Sequence, residues 1–121
     1  MSLIGLMAAA IGSLGDVTPN AVNWADLSGT SPQSNANQTI NGCSGSIVLS
    51  ATNSSSGTLL YSLAGAAFTA YLSPFSVDAA AGQTLRWQVT SAIGTKVGTV
   101  TVTNDTDGGA TLDTFTYSVS A

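Results

Sequence analysis

Thr84 to Ser120 reads TLRWQVTSAIGTKVGTVTVTNDTDGGATLDTFTYSVS, and the pattern inside it decides the fold. Three runs carry the two-residue period of a β-strand: TLRWQVT (84–90), VGTVTVT (97–103) and TLDTFTYSV (111–119). In the first, Leu85, Trp87 and Val89 share one face, with Arg86 and Gln88 opposite. In the second, Val100 and Val102 alternate with Thr99, Thr101 and Thr103. In the third, Asp113, Phe115, Tyr117 and Val119 share a face, with Thr114, Thr116 and Ser118 opposite. Asp113 interrupts an apolar row, which predicts a place near the strand's end or at the rim. The breaks at Ala92–Gly94 and Asp105–Gly109 are built from turn residues. The pattern predicts successive strands of an antiparallel meander with one face on a core and one toward solvent.

Toward the N-terminus the same grammar continues. Phe75–Val77 follows Pro74 and fits an edge strand, where a missing N–H is tolerated. Thr58–Leu63 places Leu59, Tyr61 and Leu63 on one side, and Ala67–Tyr71 returns beside it through the tight connection at Gly65. Gln38–Ile40 and Ser46–Thr52 read as earlier strands, Ala21–Leu27 as a first strand carrying Trp24, and Ser28–Asn37 as a loop. The expected fold is all-β: an Ig-like antiparallel β-sandwich of about 7–8 strands, occupying residues 16–121.

Residues 1–15, MSLIGLMAAAIGSLG, stand apart as an apolar, uncharged segment. Leu3, Met7, Ile11 and Leu14 fall on one helical face, with Ile4 beside them. Gly5 and Gly12 weaken such a helix by about 1 kcal/mol each. There is no basic n-region of a secretory signal, and a membrane span needs about 20 apolar residues. The segment is expected to be an N-terminal arm, with Leu3, Ile4, Met7, Ile11 and Leu14 as its subunit contacts.

Composition sets what the domain is expected not to do. Charged residues are 7% of the 121, against about 25% in ordinary soluble proteins. The acids are all Asp, and Arg86 and Lys96 are the only cations. A net charge of −4 with two cations does not suit phosphate neutralisation or an anionic membrane, so neither nucleic acid nor membrane is an expected partner. With no His, the Ser-His-Asp and Cys-His arrangements cannot be assembled, nor can imidazole metal sites. Cys43 is the single cysteine and reads as a small buried residue. No cofactor is expected, and no enzyme.

Three features deserve weighing as sites. Asp105, Asp107 and Asp113 form the one metal-like cluster; an EF-hand loop starting at Asp105 would need other residues where Gly109, Ala110 and Thr116 stand. Asp and Gly supplying hairpin geometry is the plainer explanation. Trp24, Tyr61, Tyr71, Trp87 and Tyr117 could stack on a surface glycan, but their alternation with Leu and Val points to the core. Asn37, Asn53 and Asn104 match glycosylation acceptors, as chance provides in so Asn/Ser/Thr-rich a chain.

At Leu60–Phe75, LYSLAGAAFTAYLSPF resembles a hairpin of Ig-like and fibronectin-III-like domains of the chitobiase C-terminal kind. Their pattern is Tyr-Ser-Leu-Gly-x-x-Phe, then Tyr, then Pro-Phe, followed by a Gly-x-Thr-Leu lead-in that Gly82-Gln83-Thr84-Leu85 matches. The stretch GTVTVTNDTDGGATLDTFTYSV is similar to repeats and stand-alone domains of tailed-phage virion proteins. The resemblance covers residues 46–120, and departs from the pattern in carrying Ala64, Ala66 and Ala67 at the hairpin tip. It implies a bacteriophage virion structural protein located in the particle and made in the host cytoplasm. Such a protein would be a capsid decoration or accessory subunit, or a head-fibre or tail component. Its partners would be a major capsid or tail protein, or copies of itself. A carbohydrate-binding adhesion module and a self-assembling filament subunit are the alternatives.

Overall fold

A computed structural model describes residues 15–121 of the chain. The proposed arm contacts Leu3, Ile4, Met7, Ile11 and Leu14 lie outside the described residues. Ten strands follow one another: β1 (Leu27–Thr30), β2 (Gln33–Ser34), β3 (Gln38–Thr39), β4 (Ser46–Asn53), β5 (Thr58–Leu63), β6 (Thr69–Ala70), β7 (Phe75–Asp78), β8 (Thr84–Thr90), β9 (Thr95–Asn104) and β10 (Ala110–Ser120). Three have only two residues, which leaves seven of four residues or more among those described. They build two sheets, in the orders β1-β10-β9-β4-β7 and β2-β8-β5-β6, with β3 also paired to β8. The all-β sandwich expected from alternation is the fold.

Why two sheets pack is visible in the burial pattern. In β8, Leu85, Trp87 and Val89 are fully buried while the residues between them are half-exposed. Val100 and Val102 of β9, Phe115, Tyr117 and Val119 of β10, Ile47 and Leu49 of β4 and Val77 of β7 meet them from the other sheet. Each such aliphatic side chain, fully buried, contributes about 1.5–3 kcal/mol. Trp24 closes one side of the core, edge-on to Trp87 at 6.0 Å between ring centroids, its indole N–H donating to Leu85 O at 2.9 Å.

Three sequence expectations are corrected. β8, β9 and β10 are not a meander: β9 and β10 pair as a hairpin, but β8 belongs to the opposite sheet. The turn Ser91–Gly94 carries the chain across the sandwich, its bend held by Ser91 Oγ donating to Gly94 O at 2.8 Å. Alternation sorts inward from outward residues, and two runs facing each other across a core alternate just as two neighbours do. The strand expected at Ala21–Leu27 begins only at Leu27. Upstream, backbone N–H groups bond side chains and loop carbonyls instead of a ladder: Asn23 N to Gln38 Oε1, Trp24 N to Asp113 Oδ2 and Asn20 N to Asn41 O. The expected loop Ser28–Asn37 holds most of β1 and all of β2. β1 runs parallel to β10, with Leu27 beside Tyr117 and Thr30 beside Ser120.

A β-bulge at Leu112 shifts the register between Thr111 and Asp113. The extra residue sets the phase of β10, so that Asp113 continues the inward row at the strand's start. This accounts for a carboxylate in an apolar row: Asp113 is half-buried and accepts Trp24 N at 2.7 Å.

Candidate functional site

The acidic turn between β9 and β10 was the first site to weigh. Asn104 is 2% exposed and organises it, accepting Asp107 N at 3.3 Å and donating to Val17 O at 2.7 Å. Gly108 and Gly109 follow with φ of 66° and 80°, a conformation that costs little only without a Cβ. The carboxylates point to separate partners. Asp105 accepts Ser50 Oγ at 2.7 Å, Asp107 accepts Thr18 Oγ1 at 2.9 Å, and Asp113 holds Trp24 N. Among the described residues no three His, Cys, Asp or Glu groups converge as a metal would need. The three Asp residues fasten the segment before β1, and β4, to the end of the β9–β10 hairpin. A groove of about 220 Å³ beside them, with Thr18, Asp107 and Leu112 in its wall, is smaller than ligand pockets of about 300–1,000 Å³. Burial, then the Asp16 and Asp107 carboxylates, push the Cys43 thiol above its ordinary range, the reverse of what activates a nucleophile.

The aromatic candidates divide. Trp24, Trp87 and Tyr117 are buried in the core. Tyr61 and Tyr71 are half-buried where β6 and β7 close the sandwich. Tyr61 stacks flat on Phe75, 4.0 Å between centroids and 6° between planes, and Tyr71 meets Phe75 edge-on. These rings pack on one another. Asn104, one of the glycosylation-like positions, is buried.

What alternation did not reveal is how the surface is distributed. The outward row of β9 is Thr95, Val97, Thr99, Thr101 and Thr103, and that of β10 beyond the bulge is Thr114, Thr116, Ser118 and Ser120, so these two rows are hydroxyl-rich, with Val97 among them, and hold no charged residue. The carboxylates that border them, Asp105 and Asp26, are bonded to Ser50 Oγ and Thr116 N. Charge is sorted along the strands instead. Asp16 carries the carbonyl bonded by Ser44 N, two residues before β4. Asp78 pairs with Ser46 at the start of β4, and Asp105 and Asp107 follow the last residue of β9. With Asp113, five of the six Asp residues lie toward one end of the sandwich. The opposite end holds the Ser91–Gly94 turn, Ser31–Pro32 and the start of β9. Lys96 is its one charged side chain among the described residues, and Ile93 and Val97 there are 80% and 65% exposed.

Two solved structures match the chain over most of its length. The N-terminal domain of PorA matches over 84% of this chain and 87% of that one, at 14% identity and a TM-score of 0.41. CfaE, the adhesive subunit of CFA/I fimbria of enterotoxigenic Escherichia coli, matches over 89% of this chain at 9% identity and a TM-score of 0.42. This chain spans 49% of CfaE, about half its length. No protein-family model matches the chain, and no curated protein matches it.

Proposed function

We propose that this chain is a non-enzymatic structural protein of a virus particle, a decoration or accessory subunit that binds neighbouring subunits through an uncharged surface. One observation carries the reading: the outward rows of β9 and β10 present Thr, Ser and Val without a charge. A face of this kind has little self-repulsion to keep it from association. It binds through apolar contact and hydrogen bonds, which salt screens far less than ion pairs. The Asp residues support the same reading, because Asp105, Asp107 and Asp113 are engaged in holding the fold together.

The adhesion alternative needs aromatic faces open to a sugar ring, and the stacking of Tyr61 on Phe75 does not favour it. The test is fractionation of cells in which the particles form. The chain is expected to sediment with the particles and to stay with them in about 1 M NaCl, where the Debye length is about 3 Å. Recovery only in the soluble fraction, or release by that salt, refutes the reading.

A further inference from the structure

A sheet edge with unpaired backbone groups is a template for another strand, and three of the four edges of this sandwich carry guards. At β7, Asp78 N donates to Gln83 Oε1 at 2.8 Å, Asp78 O accepts Gly82 N and Gln83 N, and Pro74 before the strand has no N–H. At β1, Thr30 O accepts Gln33 Nε2 at 2.8 Å, and Pro32 follows the strand. Beyond β8, β2 and β3 have two residues each, and Asn35 between them commits its amide to Trp87 N and Ala25 O.

β6 is the fourth edge, and among the described residues no side chain caps it. Leu60 pairs with Ala70 and Tyr61 with Thr69, while Tyr71 N donates to Leu59 O at 2.9 Å. In an antiparallel ladder alternate residues bond the neighbouring strand. Thr69 and Tyr71 therefore bond β5, and the N–H and C=O groups of Phe68, Ala70 and Leu72 face away from the sheet. Ala70 and Leu72 are exposed, and no charged residue stands between Leu63 and Asp78 to repel a strand laid there.

The outer face beside this edge holds a second feature. Arg86, opposite Ser62 on β5, reaches over the Phe68 ring, 4.7 Å from guanidinium carbon to centroid. The negative face of the ring attracts the cation and holds it toward β6. The carboxylates of the chain are engaged elsewhere. Asp16 accepts Thr18 N, Asp26 accepts Thr116 N and Asp78 accepts Ala81 N, while Asp105, Asp107 and Asp113 hold the partners already described. Residues 1–14 contain no acid.

We propose that the β6 edge takes an extended peptide segment of another protein, apolar at alternate positions and carrying a carboxylate that pairs with Arg86. The edge selects an extended backbone, because a strand offers N–H and C=O groups at the spacing that Phe68, Ala70 and Leu72 present. Leu60, which lies on the outer face beside Ala70, favours apolar side chains there. The guanidinium selects the acid, two N–H donors matching two carboxylate oxygens. This surface belongs to the other sheet from the β9 and β10 rows, so the inference goes beyond the assembly reading and does not rest on it.

The test is a titration of the isotope-labelled full chain with a blocked synthetic heptapeptide, Thr-Val-Thr-Val-Thr-Asp-Thr, to millimolar concentration. Amide chemical shifts and hydrogen exchange are read by NMR. Two peptide variants leave the protein itself unchanged: one with Asn in place of Asp, and one N-methylated throughout. Saturable shifts centred on residues 68–73, with slowed exchange of Ala70 N–H, are expected. The Asn peptide is expected to bind wild type at least about threefold more weakly than the Asp peptide, and Arg86→Gln equally well. The N-methylated peptide is expected not to bind. Absence of shifts at millimolar peptide overturns the proposal, as do shifts centred elsewhere or equal binding of the N-methylated peptide. Equal binding of the Asp and Asn peptides to wild type overturns the pairing with Arg86. Protection of Ala70 N–H that grows with protein concentration, without peptide, assigns the edge to a second copy and overturns the partner named here. Every outcome is read without particles, so the assembly reading stands or falls separately.

Discussion

Replacing Tyr117 with Phe removes a single oxygen from the core, and its cost follows from what that oxygen touches. Tyr117 is 2% exposed, and its hydroxyl donates to Asn53 Oδ1 at 2.6 Å. Asn53 in turn donates to Gly57 O at 2.7 Å and accepts Ser55 N at 3.3 Å, so the pair fixes the turn between β4 and β5. Losing the bond removes about 0.5–1.5 kcal/mol, and Asn53 Oδ1 is left with one long partner, adding part of a desolvation cost of about 1–3 kcal/mol. The expected loss is about 2 kcal/mol, or about 6–12 °C in melting temperature for a domain of this size. The ring fits only because glycines flank it. A Cβ on Gly98 would lie 2.7 Å from the Tyr117 hydroxyl, 2.8 Å from Cζ and 2.8 Å from Ser55 Cβ. Gly98→Ala alone is therefore expected to cost about 1–3 kcal/mol through overpacking. In the Tyr117→Phe background one of those clashes is gone, so the double variant should lose at least about 0.5 kcal/mol less than the two single losses added together. Urea unfolding followed by the fluorescence of Trp24 and Trp87 measures all three. Strict additivity, or a Tyr117→Phe loss below about 0.5 kcal/mol, refutes the reasoning.

Two further outcomes are expected. Ala64 holds φ of 54° at the exposed hairpin tip, a conformation costing an L-residue about 1–2 kcal/mol. Ala64→Gly should stabilise by about 0.5–1 kcal/mol after glycine's greater unfolded-state entropy is subtracted, and a lower urea midpoint counts against the account. The Cys43 pKa is raised by burial, and by Asp16 and Asp107, so the folded state holds the thiol proton more tightly than the unfolded chain. Its contribution is therefore intact below the unfolded thiol value of about 8.5 and is lost as pH rises from there through the folded value. The stability difference between wild type and Cys43→Ser should shrink in that window. Alkylation of folded Cys43 should titrate above an ordinary thiol; a midpoint at or below the ordinary value refutes the direction.

Much of the fold was legible because the informative residues are the buried ones. Leu85, Trp87 and Val89 announced β8 to the residue, and Leu59 with Tyr61 announced β5. Where side chains are small and polar the pattern is silent. Ser28, Gly29 and Thr30 of β1 lie on a sheet edge and are exposed, so nothing in their hydropathy distinguishes a strand from a loop. Trp24 misled in the opposite way. It sits in the core like a strand residue, but its backbone is bonded by a carboxylate 89 residues away, which no local pattern encodes. Asp105, Asp107 and Asp113 lie close in sequence and resembled ligands for that reason, yet each faces a different partner once Leu112 is bulged. The sorting of charge along the strands depends on which ends of β4, β7 and β9 meet, and became visible only with the topology.

The parallel pairing of β1 with β10 has a consequence in time. Asp26 and Thr116, bonded side chain to backbone at that seam, are 90 residues apart. At about 5–20 residues per second, a ribosome needs roughly 5–20 seconds to make the second after the first. Until then β9 and β1 both lack the strand that lies between them, and β9 carries the apolar row of Val100 and Val102. The nascent domain therefore waits with an open seam, a template for any passing strand. The residues of β10 are those that close it, and the yield of folded protein in a cell depends on how well that interval is protected.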